Sequence, residues 1–321
     1  MLFCRTINRP IWCIERANLR TFCKKANFPH VLPNYKRRFL DTLLFSNVFI
    51  ACCAVAQGGM TYLLLSLPID NTVLAILGCA TLALYNFSMI LAKPQHPESS
   101  PFRRVRWVFR HVRSLWMWTG AALITAFLLG LQLHMPSFIL LGVMGVMGVA
   151  YNLPIVRVAG EQRRVGLRQI TGLKLFYIGL VWVMSSVLLP VAEAYHDNIT
   201  ILWPHVWQLM AWVFLFVVAI TIPFDIRDIY QDRYYGLKTI PVLVGERRAL
   251  VLSTALLTAQ MGWVWFSDYP LDIRLALVTA SGLCLSFILV PPIKKNEYYY
   301  FLFLDGTMLL QFVAVWLVLR C

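Results

Sequence analysis

Three aspartates beyond the middle of the chain have the residue type and spacing that most clearly predict chemistry. Asp225, Asp228 and Asp232 stand at positions i, i+3 and i+7. If a helix continues past Pro223, this spacing places all three carboxylates on one helix face. Stacked like charges repel one another, and Mg²⁺, which binds carboxylate oxygens together with substrate phosphates, would offset that repulsion. The alternative is a solvated loop whose acids offset the neighbouring basic residues Arg227, Arg233 and Lys238.

The composition predicts that the elements positioning these residues cross a membrane. Of the 321 residues, 59% are hydrophobic and 14% are charged, whereas a soluble domain carries about a quarter charged residues. Apolar runs of about 20 residues, each long enough to cross a bilayer as a helix, recur along the chain. We therefore predict an all-α, polytopic membrane bundle of about nine transmembrane helices. The predicted spans are 43–66, 72–92, 114–133, 137–154, 174–192, 207–223, 249–266, 271–290 and 299–319.

The distribution of basic residues predicts membrane topology and not nucleic-acid binding. The net charge is +14, but all of the 29 Lys and Arg except Arg274 and Arg320 lie in the N-terminal segment and in alternate loops. The positive-inside rule then places the N-terminus in the cytoplasm and the C-terminus outside. We predict a multi-pass protein of the bacterial inner membrane with no nucleic-acid partner. The eight Cys and six His lack the spacing of metal ligands, so neither a zinc site nor a disulfide framework is predicted.

Residues 1–39 are predicted to form a basic N-terminal arm. The arm is nearly free of acidic residues and lacks the apolar core of a signal peptide. The interpretations left open are a cytoplasmic arm that meets anionic membrane lipids, a disordered segment, or a start codon assigned too early. Residues 40–321 are predicted to form a single transmembrane domain.

The acidic stretch also carries a resemblance to a known family. The pattern DxxDxxxDxxxGxxTxP runs from Asp225 to Pro241 and resembles the second aspartate-rich motif of the UbiA-type membrane prenyltransferases. The resemblance extends from about residue 40 to residue 319, and it implies a bundle with a cytoplasm-facing cavity. It further implies that Asp225, Asp228 and Asp232 hold Mg²⁺, and that Asp228 and Asp232 act in catalysis.

The family's first acidic motif, NxxxDxxxD, is degenerate in this chain. Asn86 matches its first position, but Ile90 and Pro94 occupy the two Asp positions, and neither side chain can bind a metal. The resemblance implies that Asn86 keeps a substrate contact, and nearby Lys93 would neutralise a diphosphate as a point charge. The alternative is that Lys93 belongs to an ordinary loop after the second span.

Further candidates lie around the fifth span and inside the ninth. Tyr151 matches a Tyr that is followed by a basic residue in the family. The position of that basic residue is Ile155 here, so its role would pass to Arg157, which is predicted to bind substrate. The resemblance gives Tyr151 a catalytic role, orienting a phosphate oxygen or shielding a cation. Lys174 matches a family Lys that contacts the diphosphate, so the resemblance implies that Lys174 acts both in substrate binding and in catalysis. The structural alternatives are an interfacial Tyr and a snorkelling Lys. Asp305 is also a candidate, because ionisable residues are rare at its predicted depth; the alternative is that it caps a polar helix contact beside Gly306.

The resemblance implies that a polyprenyl diphosphate binds with its headgroup at the inner membrane surface and its tail among the helices. Its allylic C–O bond would ionise while cations stabilise the departing diphosphate, and an unidentified acceptor would attack the carbocation. Because the first acidic motif is degenerate, the alternative is a non-catalytic family member that binds an isoprenoid lipid or a partner protein. A transporter is disfavoured, since the sequence lacks paired broken helices.

Overall fold

The computed structural model describes residues 34–94, 96–100, 102–153, 156–157, 164–165, 172–197, 199–234, 238–290 and 297–320. Over these ranges the chain is helical apart from one hairpin of two-residue strands, so the predicted all-α class is confirmed. The elements are α1 (Asn34–Phe45), α2 (Val48–Leu64), α3 (Asn71–Leu91), α4 (Arg103–Arg110), α5 (Val112–Gly130), α6 (Met135–Asn152), β1 (Val156–Arg157), β2 (Arg164–Val165), α7 (Leu173–Val183), π1 (Met184–Leu188), α8 (Leu189–His196), α9 (Trp203–Arg227), α10 (Ile229–Tyr234), α11 (Ile240–Val244), α12 (Glu246–Trp265), α13 (Leu271–Leu289), α14 (Glu297–Tyr299), π2 (Tyr300–Asp305) and α15 (Gly306–Val318). Most of the predicted arm, residues 1–33, lies outside the described residues.

The described helices make this an integral membrane protein. Seven of them are long and apolar enough to cross a membrane, and α1 and α2, which meet at a 60° bend, form an eighth span if they are counted together. This number is close to the predicted number of about nine. Helix α12 coincides with the predicted span 249–266 but falls outside that group, because it begins with the charged residues Glu246, Arg247 and Arg248. The cytoplasmic placement of the N-terminus stays a prediction.

The helices pack in an order that differs from their order in the chain. Helix α5 packs on α3, α3 on α2, α2 on α15, α15 on α13, α13 on α12, α12 on α9, and α9 on α7. Helix α2 also contacts π1, which continues α7, and this contact closes the ring. A helix in a bilayer satisfies its own backbone hydrogen bonds, so side-chain packing decides which helices become neighbours. The end of α9 that carries the aspartates therefore lies between α7 and α12.

Two glycines set the position of α7 against α9. A Cβ on Gly179 would lie 2.8 Å from the ring of Phe214, so a glycine at this position lets the two backbones approach closely. Gly172, just before α7, has a φ of 72°, in the left-handed region that side-chain-bearing residues seldom adopt. Lys174 follows two residues later. The approach of Lys174 to α9 therefore depends on the backbone at Gly172 and at Gly179.

Helix α9 continues through Pro223, where the sequence predicted the end of the sixth span. Proline has no N–H, so it leaves the carbonyl oxygen four residues earlier, on Ala219, without its helical donor. The Ser253 hydroxyl of α12 donates to that oxygen at 2.7 Å. A neighbouring helix therefore satisfies the acceptor that the proline leaves unpaired, and α9 can extend to Arg227.

The chain turns at Asp228, and the three aspartates do not share one continuous helix. Asp228 has φ −93° and ψ 5° and caps α9, while Asp232 lies in the separate short helix α10. The prediction of a single helix face is corrected to this extent. The carboxylates belong instead to the end of one helix, a turn, and the start of the next.

Replacing Ser253 by alanine is expected to lower the free energy of unfolding by about 0.6–1.7 kcal/mol, the range found for hydrogen bonds between membrane helices. The loss arises because the Ala219 oxygen would keep neither a helical nor an interhelical donor. Unfolding in a detergent titration measures the change. Ser286→Ala is the matched control, because the exposed Ser286 hydroxyl donates to the Leu283 carbonyl oxygen of its own helix. Equal stability of both variants would contradict the role given to Ser253.

Candidate functional site

The acidic motif lies within the protein at one end of α9. Asp225 and Asp232 are 1% and 6% exposed, and the side chain of Asp228 is 33% exposed. Charged groups are costly to remove from water unless they are paired. The burial therefore argues against the alternative of a solvated loop.

Two of the aspartates form ion pairs with basic residues. The Lys174 ammonium of α7 donates to Oδ1 of Asp225 at 2.5 Å, across the α7–α9 contact. Arg227 Nε and Nη2 donate to the two carboxylate oxygens of Asp228, each at 2.8 Å. A planar guanidinium matches a carboxylate in this two-pronged geometry. The sequence-predicted Lys174 and the acidic motif are thus brought together.

The third aspartate has a neutral partner. The Thr239 hydroxyl donates to Oδ2 of Asp232 at 3.1 Å. Burial raises the pKa of Asp232 above its usual value, although Lys174 and the Thr239 hydrogen bond act in the opposite direction. Burial also raises the pKa of Asp228, but Arg227 outweighs it and brings this pKa below its usual value. Lys174 and Arg104 contribute more weakly in the same direction as Arg227. The two carboxyls therefore differ in how readily they ionise.

The carboxylate oxygens of the motif suit a divalent ion. Oδ2 of Asp225 is buried and has no hydrogen-bond partner among the residues that the structure describes. Among the residues that the structure describes, no three or more His, Cys, Asp or Glu side chains are already arranged to hold a metal. Mg²⁺ commonly binds through one or two carboxylates plus substrate phosphates, so a preformed cluster of three such side chains is not required. The aspartates fit Mg²⁺ as ligands, in competition with the cations they now contact.

The predicted contact residue Asn86 reaches the site through a chain of hydrogen bonds. Asn47 Nδ2 donates to Asn86 Oδ1 at 2.8 Å, and Arg104 Nη2 donates to Asn47 Oδ1 at 2.7 Å. Asn47 stands at the bend between α1 and α2 with a φ of 65°, which Asn tolerates better than most residues. Arg104 in turn interacts electrostatically with Asp228. Arg104 thus joins the Asn86 side of the site to the aspartate side.

Two arginines flank one aromatic ring at the same place. The guanidinium carbon of Arg104 lies 4.4 Å from the ring centroid of Phe301, and that of Arg227 lies 5.5 Å from it. Both arginines interact electrostatically with Asp305 of π2, the candidate inside the ninth span. The Phe301 ring and the Asp305 carboxylate hold the two positive charges close together.

The other predicted residues lie at varying distances from this cluster. The ring of Tyr151 stacks on Tyr177 with centroids 5.5 Å apart, and Tyr151 is an electrostatic neighbour of Lys174. Lys93 is exposed, and none of the contacts found in the described part of the chain joins it to the aspartates. Arg157 lies in β1, paired in register with Arg164, but its side chain is outside the described residues.

A cationic cavity of about 760 Å³ lies on the other side of α4. Arg103 lines it and is held by Asp41 and by the hydroxyl of Tyr298. The full lining is Arg37, Arg38, Asp41, Thr42, Arg103, Arg106, Trp107, Arg110 and His111. It includes none of the predicted site residues. The contact of the N-terminal arm with anionic lipid stays a prediction.

The sequence reasoning missed Arg104, Asn47 and the role of Arg227. Arg104 belongs to the run of arginines in α4, which the topology rule already explained. Arg227 lies within the acidic motif but was interpreted only as a countercharge in a loop. Asn47 lies inside a predicted span, where an uncharged polar side chain gives little signal. A polar residue near the start of an apolar run was the one available hint.

Comparisons with known proteins agree on one family. The sequence profile of the UbiA prenyltransferase family matches residues 110–318, more than half of the chain. A UbiA homologue from Archaeoglobus fulgidus, solved bound to GPP and Mg²⁺, superimposes with a TM-score of 0.57 at 12% identity, covering 88% of this chain and 100% of its own. An apo UbiA homologue from Aeropyrum pernix K1 gives a TM-score of 0.53 at 16% identity, with 88% and 96% covered.

A digeranylgeranylglyceryl phosphate synthase structure gives a TM-score of 0.54 at 14% identity, with 89% of this chain and 100% of that chain covered. Among curated proteins, the sequence search found no match. At such low identities the structural likeness establishes the fold alone.

Proposed function

Because the chain belongs to the UbiA prenyltransferase family, we propose that it transfers an isoprenoid chain from a polyprenyl diphosphate to an acceptor, with Mg²⁺. The observation that carries the proposal is the burial of Asp225 and Asp232, with Lys174 close by, at one end of a membrane bundle. Ionisable groups are costly in such surroundings and mark functional sites. The Archaeoglobus fulgidus homologue was solved with GPP or DMAPP and Mg²⁺, which supports this substrate class.

In this proposal Asp225, Asp228 and Asp232 hold the metal ion, and Lys174 binds the diphosphate. When bound, Mg²⁺ supplies positive charge that offsets the charge of the departing diphosphate. Lys174 lies at the start of α7 with its ammonium on Asp225, so its positive charge stands beside the proposed metal ligands. Tyr151, its electrostatic neighbour, orients a phosphate oxygen or shields a cation with its ring.

We further propose that the site lies on the cytoplasmic side of a bacterial inner membrane. The basic residues support this orientation, because 27 of the 29 Lys and Arg lie in the segments on that side. There the diphosphate headgroup meets water while the isoprenoid chain remains among the helices.

A second candidate function is a family member that binds an isoprenoid lipid or a partner protein without turnover. The observation in its favour is that Ile90 and Pro94 stand where the resemblance predicts aspartates. The ion pairs of Asp225 and Asp228 with Lys174 and Arg227 also neutralise much of the remaining motif.

Transfer from radiolabelled geranylgeranyl or farnesyl diphosphate, with a membrane extract as the source of acceptor, tests the proposed function. We expect the purified protein to move label into a new lipid-extractable product in Mg²⁺ and not in EDTA, with release of pyrophosphate. Native mass spectrometry of the purified protein identifies any isoprenoid that it retains. A retained prenyl lipid without Mg²⁺-dependent product in any extract would contradict the enzyme and favour the binding protein.

A further inference from the structure

The cationic cavity between α1 and α4 has no part in the proposed transfer. Its volume of about 760 Å³ lies within the range of small-molecule binding sites. Helix α4 connects the end of α3 to the start of α5, and Arg104 of α4 acts electrostatically on Asp228. The cavity therefore lies at the same end of the bundle as the aspartates, but outside the acidic site.

Two helices turn basic faces towards this cavity. Five arginines line it, two from α1 and three from α4: Arg37, Arg38, Arg103, Arg106 and Arg110. The three from α4 stand at positions i, i+3 and i+7, and side chains at this spacing share one helix face. On the opposite face of α4, Val108 is fully buried in a cluster with Ile90 and Leu115. A basic helix with one apolar face is typical of the membrane interface.

The positive charge of the lining exceeds what its acids can balance. Among the lining residues that the structure describes, Asp41 is the one acid, and it is 6% exposed and bound to Arg103. Guanidinium groups gathered around one space repel one another, and an anion that enters this space offsets the repulsion. The segment before α1, residues 1–33, contains Glu15 as its single acid, so its charge does not complement the cavity.

The arrangement of the lining suits phosphate at a membrane surface. Asp41 is buried, whereas Arg38 and Arg110 are exposed, so the basic side chains at the rim can be reached from outside. Arginine donates two parallel hydrogen bonds to phosphate, which gives it both affinity and orientation. Trp107 packs edge-to-face on Phe45 with ring centroids 6.0 Å apart, and tryptophan is enriched at the level of the lipid headgroups.

We propose that this cavity binds the phosphate groups of an anionic phospholipid, with Arg106 and Arg110 of α4 and Arg38 of α1 as donors. The excess of positive charge favours a headgroup with two phosphates, such as that of cardiolipin, which basic pockets between membrane helices bind. The acyl chains remain in the bilayer beside α4. This inference is independent of the proposed function, because none of these three arginines belongs to the proposed metal or diphosphate site.

Native mass spectrometry of the full-length protein in an uncharged detergent, titrated with cardiolipin, tests the inference. We expect the wild type to bind one cardiolipin more tightly than it binds phosphatidylcholine. Arg38→Gln combined with Arg110→Gln should weaken this binding by about thirtyfold, because each arginine near an anionic lipid contributes about fivefold. Both side chains are exposed, so the double variant should fold. If it does not, Arg110→Gln alone should show a loss of about fivefold.

Arg247→Gln combined with Arg248→Gln is the matched control. Both arginines are exposed at the start of α12, and Ala249 beside them packs in one cluster with Ile226 near the end of α9. The control thus removes the same charge at the same end of the bundle, and it should bind cardiolipin as the wild type does.

Three results would overturn the inference. Wild-type affinity in the variants of Arg38 and Arg110 would remove the cavity as the binding site. An equal loss in the control would show that cardiolipin meets the basic surface without a defined site. Displacement of cardiolipin by millimolar inorganic phosphate would show that the cavity takes a soluble anion and not a lipid.

Discussion

Replacing Asp228 by asparagine is expected to lower Mg²⁺-dependent prenyl transfer by about 10²–10³-fold, the size of effect seen when one charge-stabilising group is removed from an active site. Asp228 is the aspartate on which the positive charges of Lys174, Arg227 and Arg104 all act. These cations hold its pKa below the usual value, although its partial burial acts in the opposite direction. It therefore remains ionised, as a metal ligand must be. The measurement is kcat/KM for labelled geranylgeranyl diphosphate over a range of Mg²⁺ concentrations.

The design of this experiment separates a lost ligand from a lost fold. The Asp228 side chain is 33% exposed and that of its partner Arg227 is 26% exposed, so their ion pair contributes about 1 kcal/mol or less to stability. The variant should therefore fold normally. Asp268→Asn, in an exposed loop after α12, is the control and should transfer at the wild-type rate. An unchanged rate in Asp228→Asn would remove this residue from the metal site.

The membrane helices were predictable because hydropathy is a local property of the sequence. Helix α3 covers Asn71–Leu91 where the sequence predicted 72–92, and α13 covers Leu271–Leu289 where it predicted 271–290. The bend between α1 and α2 was not predictable, because it falls inside one predicted apolar run. Its left-handed Asn47 is held by Asn86 and Arg104, which lie 39 and 57 residues further along the chain.

The acidic motif was predictable because its three aspartates form one contiguous pattern. The cations that face it come from distant segments, and sequence spacing says nothing about which of them arrives. Lys93 and Arg104 lie in the same predicted loop and carry the same charge, yet Lys93 is exposed and Arg104 joins the site. The choice depends on α4, which is anchored through Arg103 by Asp41 and turns the next residue towards the aspartates. Such an anchor is a tertiary contact.

Lys174→Gln is expected to have effects of opposite sign on the two ligands of the site. Loss of the ammonium should weaken diphosphate binding, because a positive charge no longer faces the phosphate. The same change should strengthen Mg²⁺ binding, because Oδ1 of Asp225 is released from its 2.5 Å contact while Oδ2 has no partner in the described part of the chain. Calorimetric titration of each ligand measures the two effects.

Stability distinguishes a functional lysine from a structural one. Asp225 is 1% exposed, so Lys174→Gln alone leaves a buried carboxylate unpaired, which costs at most about 3–5 kcal/mol. Adding Asp225→Asn removes that charge, so the double variant should regain most of the lost stability. It should not regain prenyl transfer, because both the phosphate contact and a metal ligand are then absent. If transfer returned together with stability, the Lys174–Asp225 pair would serve the fold alone, and neither residue would act on the substrate.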